Sequence, residues 1–478
     1  MASVITKTDT AHFFADKRMW FVPVDLWLTR VFIFFICFTA YIPLAINIAG
    51  LNLRTSQLLL PVIFTWLWVR GHVWKIKVSS LLLLFLGGML WLTFLFWTLV
   101  NFGANSNPIG SLGRVFLLGL NLLHVIAVYL LVVRTRRLED AVYSFVASVT
   151  LFNGFLLIIT VLANQGIEIF QNMLVEQAAP VLVDGQFTTA TVARFSFGGI
   201  TSGVLSAATL IIVTTMLFQP GKRQRHWFIW IFVGISVIGL VLGFSRQGVI
   251  SLVAGLMVVS ILLMMRGYLR VFLRFVILLP FLIVPSLWII SVLPGATPFY
   301  QAFAGRALQL FQPDAYTTGT VSARTLMWND MWIDVVRNPW IGAGQDAYLR
   351  YMVNPDEQGS HNFPLEILHT SGLFGFFAYL SMHTIILFLA FHTVLRRGGH
   401  TETAKTYRWL LISLIGATIA VWVSSLTNLI FSNPSYWACS GLLLAGIHVT
   451  RHQTHPYPLV GTPHQRNPPL TIDPGGIS

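Results

Sequence analysis

The sequence predicts an all-α polytopic membrane protein, with about 12 transmembrane helices and one large helical loop on the outer side between spans 9 and 10. Three observations predict it. Runs of roughly 20 apolar residues recur along the whole length, and each can cross a hydrocarbon core of roughly 30 Å. Only 10% of residues are charged against 55% hydrophobic, and the mean hydropathy is +0.73, whereas about a quarter of a soluble domain is charged. Basic clusters also fall in alternate loops, the bias of a multi-span protein with its basic loops in the cytoplasm. A barrel would show short alternating segments instead.

Residues 1–26 carry Lys7, Lys17 and Arg18 and read as a cytoplasmic tail before an uncleaved signal-anchor. The transmembrane region 27–293 then holds nine spans. The first covers about Trp27 to Ala49, and the second, Thr55 to Val69, returns to Arg70, Lys75 and Lys77. Ser79 to Val100 is the third. Leu112 to Val133 is the fourth, ending at Arg134, Arg136 and Arg137, and Ala141 to Ala163 is the fifth. In the polar segment that follows, Ile167, Ile169, Phe170, Met173 and Leu174 suit a short helix on the membrane surface. Phe197 to Phe218 is the sixth span, before Lys222, Arg223 and Arg225. Trp227 to Phe244 and Gly248 to Met265 form a tight hairpin, and Phe275 to Leu293 is the ninth span.

The loop 294–371 is the longest polar interruption, and it concentrates Arg324, Asn338, Asp346, Asp356, Glu357, His361, Asn362 and Glu366. Long ordered loops are uncommon and tend to carry function. Residues 372–450 hold spans 10 to 12: Gly372 to Leu395, Trp409 to Ile430 and Tyr436 to Val449. The tail 451–478, rich in Pro, His and Gly, reads as disordered. Twelve spans place both termini in the cytoplasm and the loop on the outer face.

The net charge of +13 is spread as the topology bias requires, so nucleic acid is not the partner it implies; the bilayer is. Cys37 and Cys439 both lie inside apolar runs and read as packing residues. The chain has no HExxH, no CxxC and no Gly-rich phosphate loop followed by lysine, so neither a metal nor a nucleotide cofactor is expected.

Four polar positions stand out. Arg246, in Phe244-Ser245-Arg246-Gln247-Gly248, sits on a turn too short to lift it far from lipid. It reads either as a snorkelling interfacial residue or as a fixed cation for an anionic ligand. Arg194 precedes Gly198-Gly199 at the mouth of span 6, where glycines let a ligand or a helix approach the backbone. Two guanidinium forks on one face suit a diphosphate. Arg324 falls in the first turn of a helix capped by Ser322 and running to Arg337, where a cation opposes the helix dipole. That helix has an apolar stripe of Trp328, Met331, Trp332, Val335 and Val336. His361 stands before a helix start at which Asn362 is the N-cap and Pro364 lies in the first turn. It reads either as a solvated loop histidine or as a general base. His369, His383 and His392 read as packing or interfacial residues.

Four strings in this order resemble the O-antigen ligase and O-antigen polymerase superfamily of membrane-embedded GT-C-type glycosyltransferases: Arg194 to Gly199, Ser245-Arg246-Gln247-Gly248, Asn338-Pro339-Trp340-Ile341-Gly342-Ala343-Gly344, and His361-Asn362 followed by Gly372-Leu373-Phe374-Gly375. The resemblance covers roughly Arg194 to Leu380. It implies a metal-independent, inverting transfer of a glycan from undecaprenyl diphosphate to an acceptor hydroxyl at the periplasmic face of a bacterial inner membrane. It also makes the large outer loop a periplasmic catalytic loop. Carried over by residue, Arg194 and Arg246 hold the leaving diphosphate, and Arg324 assists it or positions the acceptor. His361 acts as general base or orients the acceptor, and Asn362 and Ser245 join the substrate contacts. The acceptor is lipid A-core for a ligase, a growing lipid-linked glycan for an O-antigen or exopolysaccharide polymerase, and a protein for an O-oligosaccharyltransferase. A secondary transporter is the alternative of another class, and such folds show midplane charges and related halves.

Overall fold

The computed structural model describes residues 24–38, 45–48, 51–70, 78–104, 107–164, 167, 174–183, 186–195, 199–219, 226–243, 246–268, 270–271, 273–274, 277, 320–347, 362–396, 401–426 and 433–454. The described chain is predominantly helical. Its helices are α1 (residues 24–38), α2 (Thr55–Val69), α3 (Val78–Val100), α4 (Pro108–Thr135), α5 (Leu138–Asn164), α6 (Gly199–Leu217), α7 (His226–Leu242), α8 (Arg246–Met265), α9 (Thr320–Arg337), α10 (Phe363–Leu395), α11 (Glu402–Ser425) and α12 (Pro434–Thr454). Two antiparallel hairpins, β1 (Ala45–Ile48) with β2 (Leu51–Arg54) and β3 (Leu174–Val183) with β4 (Gln186–Phe195), complete it.

Among the described residues, six helices are long and apolar enough to cross a membrane: α3, α4, α5, α8, α10 and α11; α2, α6 and α7 are shorter apolar helices. The core lies where α6, α11 and α12 pack, with Trp437, Tyr436, Leu411 and Ile415 inaccessible to solvent. At the periphery, α3 turns Phe85, Leu92 and Phe96 outward. Helices lack a hydrophobic drive toward one another in lipid, so small residues and polar pairs hold them. Gly255 of α8 and Gly416 of α11 meet so closely that a Cβ on Gly255 would lie 2.6 Å from the Gly416 carbonyl oxygen. Between α5 and α6, Asn153 Nδ2 donates to Ser206 Oγ (2.9 Å) and Ser202 Oγ donates to Asn153 Oδ1 (3.2 Å). Cys37 and Cys439 are buried free thiols.

Polar links at the helix ends fix which ends share a face. Near the start of α1, Asp25 accepts from Trp66 Nε1 (2.7 Å) and from Arg134 Nε, and Arg70 lies 3.8 Å away. The ends of α2 and α4 therefore meet the start of α1. Arg30 pairs with Asp140 at the start of α5. Tyr407 Oη of α11 donates to the Arg136 carbonyl (3.0 Å), Arg451 of α12 reaches Thr393 of α10 (2.9 Å), and Arg266 after α8 donates to the Arg396 carbonyl after α10 (3.1 Å). Gln219 after α6 donates to Thr406 of α11 (2.8 Å). We call this the basic end. The start of α4, the end of α3 and the starts of α2, α6, α8, α10 and α12 then lie at the other, the loop end.

Several expectations change. The first span does not run helical to Ala49, because residues 45–48 are a strand paired with 51–54. Gly50, in Asn47-Ile48-Ala49-Gly50-Leu51, is the sequence signal that favours a hairpin here over a continued helix. The surface helix expected after span 5 gives way, from Leu174 onward, to the ten-residue strands β3 and β4, whose Val, Thr and Phe content favours pleated backbone. Ile169, Phe170 and Met173 lie outside the described residues, as do most of span 9 and the two tails. Helix α9 starts at Thr320, so Ser322 lies inside it and does not cap it. The helical run that ends in span 10 begins earlier, at Phe363, and is broken at Gly372 (φ 67°, ψ −175°), where span 10 was expected to start, a backbone state open to glycine. Of the twelve expected spans, six coincide with described helices long and apolar enough to cross a membrane, and three more with shorter apolar helices.

Candidate functional site

The loop between α9 and α10 is built around glycine. After Asn338-Pro339 stops α9, the chain runs Trp340-Ile341-Gly342-Ala343-Gly344-Gln345-Asp346 directly onto the broken part of α10. Ala343 N donates to the His369 carbonyl (2.8 Å), Gly344 N to that of Thr370 (3.1 Å), and Leu373 N to that of Pro339 (2.9 Å). The carbonyls at 369 and 370 accept these because Gly372 interrupts the helical ladder that would have taken them. Space for the contact exists because side chains are missing. A Cβ on Gly342 would lie 2.3 Å from the Thr370 oxygen, and one on Gly372 2.7 Å from the Trp340 oxygen. Gly344 has φ 84° and presses on the end of α3, where a Cβ would lie 2.9 Å from the Trp97 oxygen.

That α3 contact is reinforced by polar bonds. Asn101 Nδ2 donates to the Gly342 carbonyl (3.2 Å), and Gln345 N donates to Thr98 Oγ1 (3.0 Å). Asp346 follows in a left-handed conformation (φ 65°) and is 6% exposed. Its carboxylate accepts from Ser111 Oγ (2.9 Å), Arg114 Nη1 (2.5 Å) and Gln345 Nε2 (3.0 Å). Gln345 Nε2 also lies 3.4 Å from Oε1 of Glu366, which is 1% exposed in the first turns of α10. Thus α3, α4 and α10 are tied through one loop. On the far side, His369 Nε2 stands 3.6 Å from Asp334 of α9, and Met327 and Met331 pack with Leu365.

The expected site residues distribute as follows. Asn362 is the N-cap of α10, its side chain accepting from Leu365 N (3.1 Å), with Pro364 in the first turn. Arg324 lies half-buried on α9. Arg246 is the first residue of α8, and Arg194 pairs with Val175 near the end of β4, five residues before α6. Those two starts are in contact, since a Cβ on Gly248 would lie 3.0 Å from the backbone of Gly203. The backbones of Arg246 and Asn362 therefore share the loop end, and the strand bearing Arg194 leads into it. Ser245 and His361 lie outside the described residues. The structure joins two polar residues of the loop reading, Asp346 and Glu366, to Thr98, Ser111, Arg114 and Gln345 in one cluster. Arg114 carried a legible signal: it is the one Lys, Arg, Asp or Glu in the apolar run from Leu112 to Val133, where a charge is costly. Arg54, the N-cap of α2, adds a further cation at this end; it lies 3.5 Å from Asn433, and burial pushes its guanidinium down to about 10. Among the described residues no three His, Cys, Asp or Glu side chains converge.

Beside this cluster, an apolar cavity of about 340 Å³ opens between α3, α4, α10 and α12, with Trp91 and Phe116 near its loop end and Leu130 deepest along α4. Gly87, Gly88 and Gly119 hollow out its wall.

Fold and site together define a polytopic helical membrane protein with a glycine-clamped polar loop at one end of its bundle. Residues 231–380 match the family described as O-antigen ligase (Wzy_C), and this match supports the O-antigen ligase superfamily. The matched stretch runs from α7 into α10. It includes Arg246, Arg324, the loop 338–347, His361 and Asn362, while Arg194 lies ahead of it. The match indicates an O-antigen ligase-like function, with the lipid bilayer and lipid-linked glycans as its setting. No curated protein matches the chain.

Proposed function

We propose that the protein is a metal-independent, inverting glycosyltransferase that moves a glycan from undecaprenyl diphosphate to an acceptor hydroxyl at the periplasmic face of the inner membrane, with lipid A-core as the acceptor. The observation that carries this reading is the meeting of the α6 and α8 starts through Gly203 and Gly248, at the same end of the bundle as the Asn362 cap. In the proposed reaction the acceptor oxygen attacks the anomeric carbon from the face opposite the phosphate. The new C–O bond forms as the bond to the diphosphate breaks, and the acceptor proton passes to His361. Arg194 and Arg246 take up the negative charge that grows on the leaving diphosphate, in a setting where lipid keeps the dielectric low. Arg324 and Asn362 position the acceptor, and Ser245 adds a hydroxyl beside the diphosphate. The apolar cavity between α3 and α4 offers room for a lipid chain below the same end.

Lipopolysaccharide gels of a deletion strain complemented with each variant test the reading. His361→Ala and Arg246→Ala are each expected to abolish glycan transfer while the protein stays in the membrane, general-base loss alone costing about 10²–10⁴-fold. Wild-type ladders from both variants would refute it. The deletion itself separates the acceptors. Bare core with accumulated lipid-linked polymer marks a ligase, and core carrying one repeat marks a polymerase.

A further inference from the structure

Helix α9 buries only one side. Met327 and Met331 pack against Leu365 of α10, and Val335, four residues on along the same stripe, is buried too. The opposite side is apolar too over its C-terminal half, past the exposed Asn329: Trp332, Ile333 and Val336 are exposed, as is Leu326 before it, and Val336 is 62% accessible. Just past the helix, Trp340 and Ile341 are also exposed, each at 55%. A helix apolar on both sides is costly to leave in water, and contiguous exposed apolar surface marks an interaction site.

The position of this surface says what covers it. Trp340 packs on Phe374 with ring centroids 5.4 Å apart. Phe374 begins the outward stripe of α10 that continues through Phe377, Leu380 and Phe388, on a helix long and apolar enough to span a membrane. The outward face of α9 is therefore continuous with a lipid-facing surface. Helix α9 also runs beside α10 in the same direction, since Met327 and Met331 lie by Leu365, Asp334 by His369 and Pro339 by Leu373. Its C-terminal half thus lies nearest the bilayer. Two tryptophans there, with Arg337 and Asn338 exposed beside them, have the composition of a membrane–water boundary.

We infer that the outward face of the C-terminal half of α9, together with Trp340 and Ile341, inserts into the interfacial layer of the bilayer. This anchors the loop 338–347, and with it the Asp346 cluster, at headgroup level. Depth increases along the chain from Leu326, through Val336, to Ile341.

The two native cysteines are both buried, so single exposed cysteines can be labelled in the full chain in phospholipid vesicles. Leu326→Cys, Asp330→Cys, Val336→Cys and Ile341→Cys would each carry an environment-sensitive fluorophore, read against a lipid-borne spin-label quencher and aqueous iodide. Labels at 336 and 341 are expected to be quenched severalfold more by the lipid quencher than the label at 330, with 326 between. Equal iodide quenching at all four positions would overturn the inference. So would shielding at 336 from both quenchers with cross-linking of Val336→Cys between two copies, because a second chain would then cover the face. Neither readout depends on glycan transfer, so failure here is distinct from failure of the proposed reaction.

Discussion

Asp25 and Asp346 stand at opposite ends of the bundle, and each holds an arginine, yet they do different things. At the basic end Asp25 gathers Arg70, Arg134 and the Trp66 indole, all at the ends of helices whose own sequences demand cations there. Its backbone is ordinary helix. At the loop end Asp346 holds Arg114 from a left-handed backbone, reached through Gly344 and pressed against the end of α3. The first is a fastening of pre-formed helices. The second exists only because three helices and a strained loop hold one another, and such strain tends to collect where geometry matters to function.

Four substitutions test that contrast, the first with the largest effect. Gly342→Val puts side-chain atoms where even a Cβ would meet the Thr370 oxygen and the Trp97 ring. It should detach the loop from α10 and cut transfer in isolated membranes by about 100-fold or more, the cost of misplacing catalytic groups by an ångström. Unchanged transfer would mean that the clamp does not position the site. Next, Asp25→Ala leaves Arg134, whose side chain is 12% exposed, without its carboxylate. Breaking a buried pair costs about 3–5 kcal/mol, so the thermal midpoint should fall while transfer per folded molecule at low temperature holds. Asp346→Ala should do the reverse, losing roughly tenfold in transfer, about 1.4 kcal/mol in barrier, with the smaller drop in thermal midpoint. Matching profiles from the two alanine variants would dissolve the distinction between the ends. The smallest effect belongs to Arg114→Lys, which keeps the charge but loses the planar fork. With that side chain 49% exposed, solvent weakens the pair, and a loss of roughly two- to threefold in transfer is expected.

How much of this was legible follows from what each signal reports. Apolar run length located α2 through α8 within a few residues, because a span must satisfy its backbone internally and present a greasy surface whatever its neighbours are. Asn362-Phe363-Pro364 announced the start of α10 for the same local reason. The failures occurred where two structures compete for one stretch. Residues 45–54 are apolar enough for a helix, yet 45–48 pair with 51–54, and the pairing of β3 with β4 takes Leu174 from the apolar spacing that precedes it. On α9 periodicity found an apolar helix, but it merged Met331 and Val335, which are buried, with Trp332 and Val336, which face outward.

By itself, then, the amino-acid order determined which segments belong in lipid, where most helices begin and end, and which loop is too polar and too long to be a connector. It also presented the glycines of Trp340-Ile341-Gly342-Ala343-Gly344 and Gly372-Leu373-Phe374-Gly375 as two separate strings. Tertiary structure alone decided that they are one object, a backbone clamp in which Gly342 makes room for the Thr370 carbonyl and Gly372 for that of Trp340. It also decided that Asp346 would find Ser111 and Arg114, and that Asn101 would reach Gly342, 241 residues away. Hydropathy and capping act within a turn or two of chain. Contacts between carbonyls and missing side chains arise only when distant helices are already side by side, so no local pattern encodes them.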